Sequence, residues 1–411
     1  MNLIKDMVTI PIGPQHPCLK EPACFTASLQ GEKLVGLDLR LGYNHRGVEK
    51  ACEQRTYIQD IYLLERICGI CSHSHATCFI QCVEEIAGLE VPLRGRYLRT
   101  LIGELERIHS HLLWLGVAAY EIGFETLLMY SWRDREVVMD LLAALTGNRV
   151  NYSGNVIGGA RRDITNDQKA EILKAIDILE ERTKYYIEVA TQEKTLEMRL
   201  SGVGHISLED VKRLGTVGPT ARASGLPFDV RKDDPSEIYG EIPFNVVTDT
   251  HCDVYGRAVV RVLELMESFK IVRHIIQNLP DGPVSVKAPR KIPVGEAVCR
   301  YEAPRGEDVH YVRGNGTDKP ERVRVRAPTM VNLLAVPTML HGNNLADVAI
   351  TVAAIDPCFS CTDRAVRVSD PDGGNLQIMT WKETRQLGID WYRKNGVDFT
   401  DLNKRLAGRL R

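Results

Sequence analysis

Two cysteine pairs with C-x-x-C spacing stand more than two thirds of a 411-residue chain apart: Cys68/Cys71 in "RICGICSHSHATC" and Cys358/Cys361 in "DPCFSCTDR". Such a pair lets two thiolates reach one ion from a single turn, and four thiolates suit zinc, an iron–sulfur cluster or nickel. A local zinc ribbon keeps its pairs within a few tens of residues, because the metal folds a small module around itself. Here the two ends of the chain must instead meet at the ion, which places it deep between central and flanking elements. Spacing alone leaves a structural zinc site, in a protein acting as scaffold, open as an alternative. The remaining cysteines (Cys18, Cys24, Cys52, Cys78, Cys82, Cys252 and Cys299) are scattered and read as small buried hydrophobes.

The elements between and around the pairs follow from periodicity. "MVTIPIG" and "ACFTASLQGEKLVGLDLRL" alternate as strands, with "QGEK" as a hairpin turn. Leu98, Leu101, Ile102, Leu105, Ile108, Leu112 and Leu115 form one apolar helical stripe. "NDQKAEILKAIDILEERTKYYIEVAT" predicts a second long helix capped by Asn166 or Asp167. A third, "YGRAVVRVLELMESFKIVRHIIQNLP", is apolar around most of its circumference and belongs at the centre of a bundle. From Pro283 the chain is rich in β-branched residues and broken by Gly and Pro, which predicts a small antiparallel β-region. The expected class is α+β: a central bundle of long helices with β-structure from the N-terminal and C-terminal parts. The expected boundaries are a β-region at 1–45, a helical bundle with the first pair at 46–282, and a small β-region at 283–335. A segment with the second pair (336–364) and an extension (365–411) follow.

A net charge of −2 makes no electrostatic case for nucleic acid. No stretch approaches 18 uninterrupted apolar residues and no signal segment opens the chain, so it is expected on the cytoplasmic side, held at the membrane only by partners.

The residues flanking the cysteines narrow the choice. "RICGICSHSH" (Arg66 to His75) resembles the R-x-C-G-x-C-x-x-x-H signature of nickel–iron hydrogenase large subunits, and "DPCFSCTDR" (Asp356 to Arg364) resembles their D-P-C-x-x-C-x-x-[HR] signature. "IPIGPQHPCLKEP", "YNHRGVEK", "EAPRGE" and "RVRAPTMVNL" extend the resemblance along essentially the whole chain. Arg364 in place of a terminal histidine, with the "GPQHP" loop around His16, is similar to the membrane-bound, energy-converting branch, akin to the catalytic subunit of respiratory complex I. Complex I subunits lack these cysteine pairs, so their presence here favours hydrogen activation over a sulfur- or quinone-reducing relative with a vestigial metal site.

The resemblance implies a Ni–Fe(CO)(CN)2 centre, with Cys68 and Cys358 as terminal nickel ligands and Cys71 and Cys361 as bridges to iron. It makes His75 a hydrogen-bond partner of a bridging sulfur, Glu21 a proton-relay carboxylate, and Arg305 a guanidinium above the open metal position. Glu49 is implied as part of a nearby site for magnesium or another ion. No cysteine set is left for an iron–sulfur cluster in this chain, which implies a small subunit carrying a [4Fe–4S] cluster. Other hydrophilic and membrane subunits of a complex I-like assembly, nickel-insertion proteins and a maturation protease are implied as well. The extension after Arg364 reads either as a segment cut off on maturation or as a permanent part of the fold.

Overall fold

A computed structural model of the chain describes residues 7–362, 366–368, 377–379 and 381–396. Strands β1 (Val8–Ile12), β2 (Cys24–Gln30) and β3 (Lys33–Arg40) form an antiparallel sheet in that order, with the β2–β3 hairpin closing at Gly31, φ 64°. Two short helices, α1 (Val48–Cys52) and α2 (Tyr57–Glu65), lead to α3 (Ser72–Ala87), α4 (Leu93–Glu121) and α5 (Glu125–Thr146). A minimal hairpin, β4 (Asn155–Val156) and β5 (Gly159–Ala160), precedes α6 (Asn166–Gln192). Short helices α7 (Lys194–Leu200), α8 (Leu208–Leu214), α9 (Pro219–Arg222) and α10 (Val230–Asp233) carry the chain to α11 (Val254–Asn278). The second sheet is the meander β6 (Val294–Ala303), β7 (Gly306–Asn315) and β8 (Pro320–Arg326), and the chain then turns through α12 (Pro328–Asn332), α13 (Val336–Leu340) and α14 (Val348–Ala354).

The bundle is α4, α5, α6 and α11, and all seven residues of the predicted α4 stripe are buried in it. The cap of α6 differs from expectation. It is Thr165, not Asn166 or Asp167: its hydroxyl accepts from the Gln168 amide while the Gln168 side chain accepts from the Thr165 amide. A reciprocal pair satisfies two orphan donors at once, more than a lone Asx oxygen offers.

Reading α4 as a stripe also understates it. Its charged residues do not face water: Glu104, Glu106, Arg107, His109 and His111 are all buried, as are Arg257, Arg261 and Glu264 of α11. Some of these interior charges pair, with one another or with the short helices α9 and α10. Glu104 meets Arg231 at 3.1 Å, and Glu264 takes Arg222 at 2.7 Å and His111 at 2.8 Å.

Helix α3 packs on β6 and β7, and the apolar cluster between them contains Cys68, Cys71, Cys358 and Cys361. Phe359, inside the second pair, turns the other way and packs edge-on to Phe25 of β2, ring centroids 6.1 Å apart. The second cysteine loop is thus wedged between the two sheets. Arg364, at the end of its motif, lies outside the described residues, as do 397–411, while Trp381–Lys394 within the extension form a helix.

Candidate metal centre

The first pair straddles a helix start. Cys68 follows the end of α2 and Cys71 is the N-cap of α3, with the Ile70 and Cys71 amides turned toward Cys68 Sγ at 3.3 and 3.4 Å. Cys71 provides no side-chain cap, leaving its sulfur free to point elsewhere. The cap comes from α4 instead: both oxygens of buried Glu106 accept from the start of α3, from the His73 amide at 2.6 Å and from the Ser74 amide at 3.1 Å, with the Ser74 hydroxyl also donating.

The second pair occupies a 3-10 turn, Phe359–Cys361, after α14. The Cys358 amide donates to Thr329 Oγ1 at 3.1 Å, and the Phe359 and Ser360 amides donate to Glu21 Oε2 at 2.5 and 3.2 Å. The Ser360 hydroxyl completes the hold on Glu21. Arg46 joins the two loops: its guanidinium donates to the carbonyls of Arg66 and Ile67, each at 2.7 Å, and of Ser360 at 3.4 Å.

All four thiols are buried and they converge. Cys358 Sγ lies 3.4 Å from Cys68 Sγ and 2.9 Å from Cys361 Sγ, and the sulfurs of Cys68, Cys71 and Cys361 fall within 4.8 Å of one another. Hydrogen bonds from Cys358, Cys361 and Cys71 hold the Cys68 thiol well below its usual range despite burial, whereas burial pushes Cys361 up. Filling the site with a metal means expelling the protons the thiols still carry.

Arg305 lies beside them, buried. It donates from Nε to the Asp356 carbonyl at 2.7 Å and from Nη2 to Asp356 Oδ1 at 2.9 Å, while Nη1 has no hydrogen-bond partner. Burial opposes its charge, but Asp356 and the cysteine sulfurs raise its pKa further. Arg305, Glu21, Cys68 and Cys358 line one cavity of about 490 Å3, whose outer wall includes Trp132 and Tyr120, 44% and 45% exposed. Lys20 lies over the Tyr120 ring and pairs with Glu121 at 2.8 Å.

His75, on the first turn of α3, places Nε2 3.5 Å from Cys361 Sγ. Glu49 is not drawn in among the sulfurs; its carboxylate accepts from the Val325 amide at 2.9 Å and pairs with Arg324 at 3.1 Å. His16 is exposed, its Nδ1 3.1 Å from Cys18 Sγ. Sequence reasoning missed Arg46, Glu106, Asp356, Asp308 and His310. The last two carried a usable signal, since residues two apart on a strand share a face.

Residues 121–293 and 286–364 match the family described as respiratory-chain NADH dehydrogenase, 49 kDa subunit, and residues 46–117 match that of nickel-dependent hydrogenase. The chain is 43% identical to the membrane-bound hydrogenase subunit alpha of Pyrococcus furiosus, covering 95% of this chain and 94% of that one. It is 38% identical to the carbon monoxide-induced hydrogenase of Rhodospirillum rubrum, covering 87% and 99%. Among solved structures it superimposes on a chain of the membrane-bound sulfane sulfur reductase, an archaeal respiratory membrane complex, with a TM-score of 0.84, 31% identity and coverage of 89% and 100%.

Proposed function

The chain belongs to the family shared by the 49 kDa subunit of respiratory NADH dehydrogenase and the large subunits of nickel-dependent hydrogenases, and on that membership we propose that it is the catalytic subunit of an energy-converting nickel–iron hydrogenase. The observation that carries the proposal is the convergence of four buried thiols from opposite ends of the chain. Four soft sulfurs with no hard donor among them suit nickel, and the long helices leave no need for a zinc staple. Cys68 and Cys358 would hold nickel alone, and Cys71 and Cys361 would be shared with an iron carrying CO and cyanide.

When bound, such a centre supplies the redox chemistry that interconverts hydrogen with protons and electrons. The chain's own residues handle position and protons. Glu21, held beside Cys358 by two amides and a hydroxyl, exchanges a proton with that sulfur and passes it to the cavity. Arg305 keeps a fixed positive charge against the thiolates, with Nη1 left without a hydrogen-bond partner. His75 supports Cys361 through Nε2. Electrons leave to a partner with a [4Fe–4S] cluster, and the assembly couples their flow to ion transport.

A second reading is favoured by the cavity, which is far larger than hydrogen needs, and by the likeness to a sulfane sulfur reductase: reduction of a sulfur- or quinone-type substrate at the same thiols. Infrared spectroscopy of the purified complex separates the two. CO and cyanide stretching bands, with nickel and iron found by elemental analysis and hydrogen evolved from a reduced low-potential donor, support the hydrogenase. Absence of the bands from nickel-replete complex overturns it.

A further inference from the structure

Three side chains outside the set of four thiols converge in the same way. Asp308 and His310 alternate on β7 so that both face α3, where His75 meets them, and none of the three is more than 1% exposed. His75 Nδ1 lies 2.9 Å from Asp308 Oδ2, His310 Nε2 lies 3.2 Å from the same oxygen, and the two nitrogens are 3.1 Å apart.

Hydrogen bonding accounts for only one edge of this triangle, His75 Nδ1 to His310 Nε2. Neither ring aims an N–H at the carboxylate well enough to bond it, so both Asp308 oxygens are buried without a hydrogen bond, as is His310 Nδ1. An interior carboxylate with no donor costs several kcal/mol, roughly, and persists when a cation compensates it. Three ligand atoms drawn toward a common point, with the carboxylate left outside the one hydrogen bond they make, are the arrangement that a cation organises.

The edge lengths identify the geometry. With metal–ligand bonds of about 2.1 Å, edges of 2.9 to 3.2 Å subtend angles of about 90 to 100°, nearer the right angle of an octahedral face than the tetrahedral angle of structural zinc. Two imidazoles and one carboxylate on one face of an octahedron are a donor set for first-row divalent ions such as Fe2+. From this geometry we propose that His75 Nδ1, His310 Nε2 and Asp308 Oδ2 hold an octahedral first-row divalent cation, separate from any metal on the four thiols. Metal at Nδ1 leaves the proton of a neutral His75 on Nε2, the nitrogen that faces Cys361 Sγ at 3.5 Å. The site thereby turns His75 into a fixed donor toward one sulfur of the neighbouring centre. Being sealed from solvent, the ion is taken up as the chain folds and resists chelators afterwards.

Metal counting by plasma mass spectrometry tests the proposal on the complex purified and dialysed against EDTA. Wild type is expected to keep one divalent ion per chain that Asp308→Ala loses, while Cys361→Ser loses a different set. Because the two losses are read separately, the second site stands or falls whether the thiols hold nickel, zinc or nothing. Anomalous diffraction from wild-type crystals is expected to place the ion about 2.1 Å from all three atoms, which removes any dependence on how well the variant folds. Equal metal content in wild type and Asp308→Ala, or no anomalous peak at the triangle, overturns the proposal and leaves a metal-free cluster of polar side chains.

Discussion

The two cysteine loops present the same spacing and are held by opposite means. The Cys68–Cys71 loop opens onto α3, a 16-residue helix packed against a sheet and capped by Glu106 from α4. The Cys358–Cys361 loop is a single 3-10 turn whose position is set by side chains from other segments: Glu21, Arg46 and Thr329. The first is rigid because of what it is built on; the second is rigid because of what grips it. Equal spacing in a sequence therefore says nothing about equal stability in the fold, and each half of the site is vulnerable to a different kind of substitution.

The largest effect is expected where both halves meet. Cys361→Ser keeps nearly the same volume but replaces a soft ligand with a hard one. Nickel content should fall at least about tenfold and hydrogen turnover with it, judged against the loss that even outer-shell changes cause. The far-ultraviolet circular dichroism should be unchanged. Retained nickel in this variant would show that the second loop contributes less than the first.

Next in size is the cap of the first loop. Burial pushes the Glu106 carboxyl up to about 8, against the hydrogen bonds of Ser74 and His73. A carboxyl raised in the folded state contributes stability that is fully present below the unfolded value, near pH 4.5, and lost as pH rises through about 8. Urea midpoints should fall across that window, by the equivalent of a few kcal/mol on the order of the shift. In Glu106→Gln the slope should flatten. An unchanged slope would mean that the charged form is already supported and that the α3 cap is not the pH-sensitive part of the site.

These two predictions concern residues of unequal legibility. The cysteines, helices α4, α6 and α11 and the second β-region could be read because their signals are local: a spacing, a period of three to four, or an alternation; α5, of similar length, was not singled out. Glu106 could not be read, since a glutamate inside a helical pattern reads as a solvent-facing residue, and only the packing of α4 against α3 turns it inward. Asp356, ahead of the second pair, gave no hint that it would anchor Arg305. Glu21 was picked out through a family resemblance as a proton carrier, and the structure adds a task that no motif expresses: its carboxylate caps the second loop.

Arg46→Ala sharpens the contrast from the other side. It removes two close bonds to the first loop and the longer one to Ser360. Because this guanidinium is largely exposed, the expected stability loss is about 1–2 kcal/mol. Metal content should drop more than thermal stability does, since the loops lose their shared tie while each keeps its own support. Parallel losses of metal and melting temperature would show that Arg46 simply stabilises the fold.

The smallest stability effect is expected from Glu21→Gln, under about 1 kcal/mol, because the amide oxygen still accepts from the Phe359 and Ser360 amides. The functional effect should be larger: metal retained, and hydrogen/deuterium exchange slowed, since an amide cannot relay a proton. Wild-type exchange would reduce Glu21 to its capping task.

The grip on the second loop also imposes a timetable on synthesis. Glu21 and Phe359 are 338 positions apart, so at translation rates of about 10 residues per second Glu21 waits on the order of half a minute for its partner to be made. Arg46 can engage Arg66 and Ile67 early but reaches Ser360 only when almost the whole chain has left the ribosome. Until then one wall of the thiol pocket does not exist. Any factor that delivers metal to four sulfurs must therefore act after translation of the second loop.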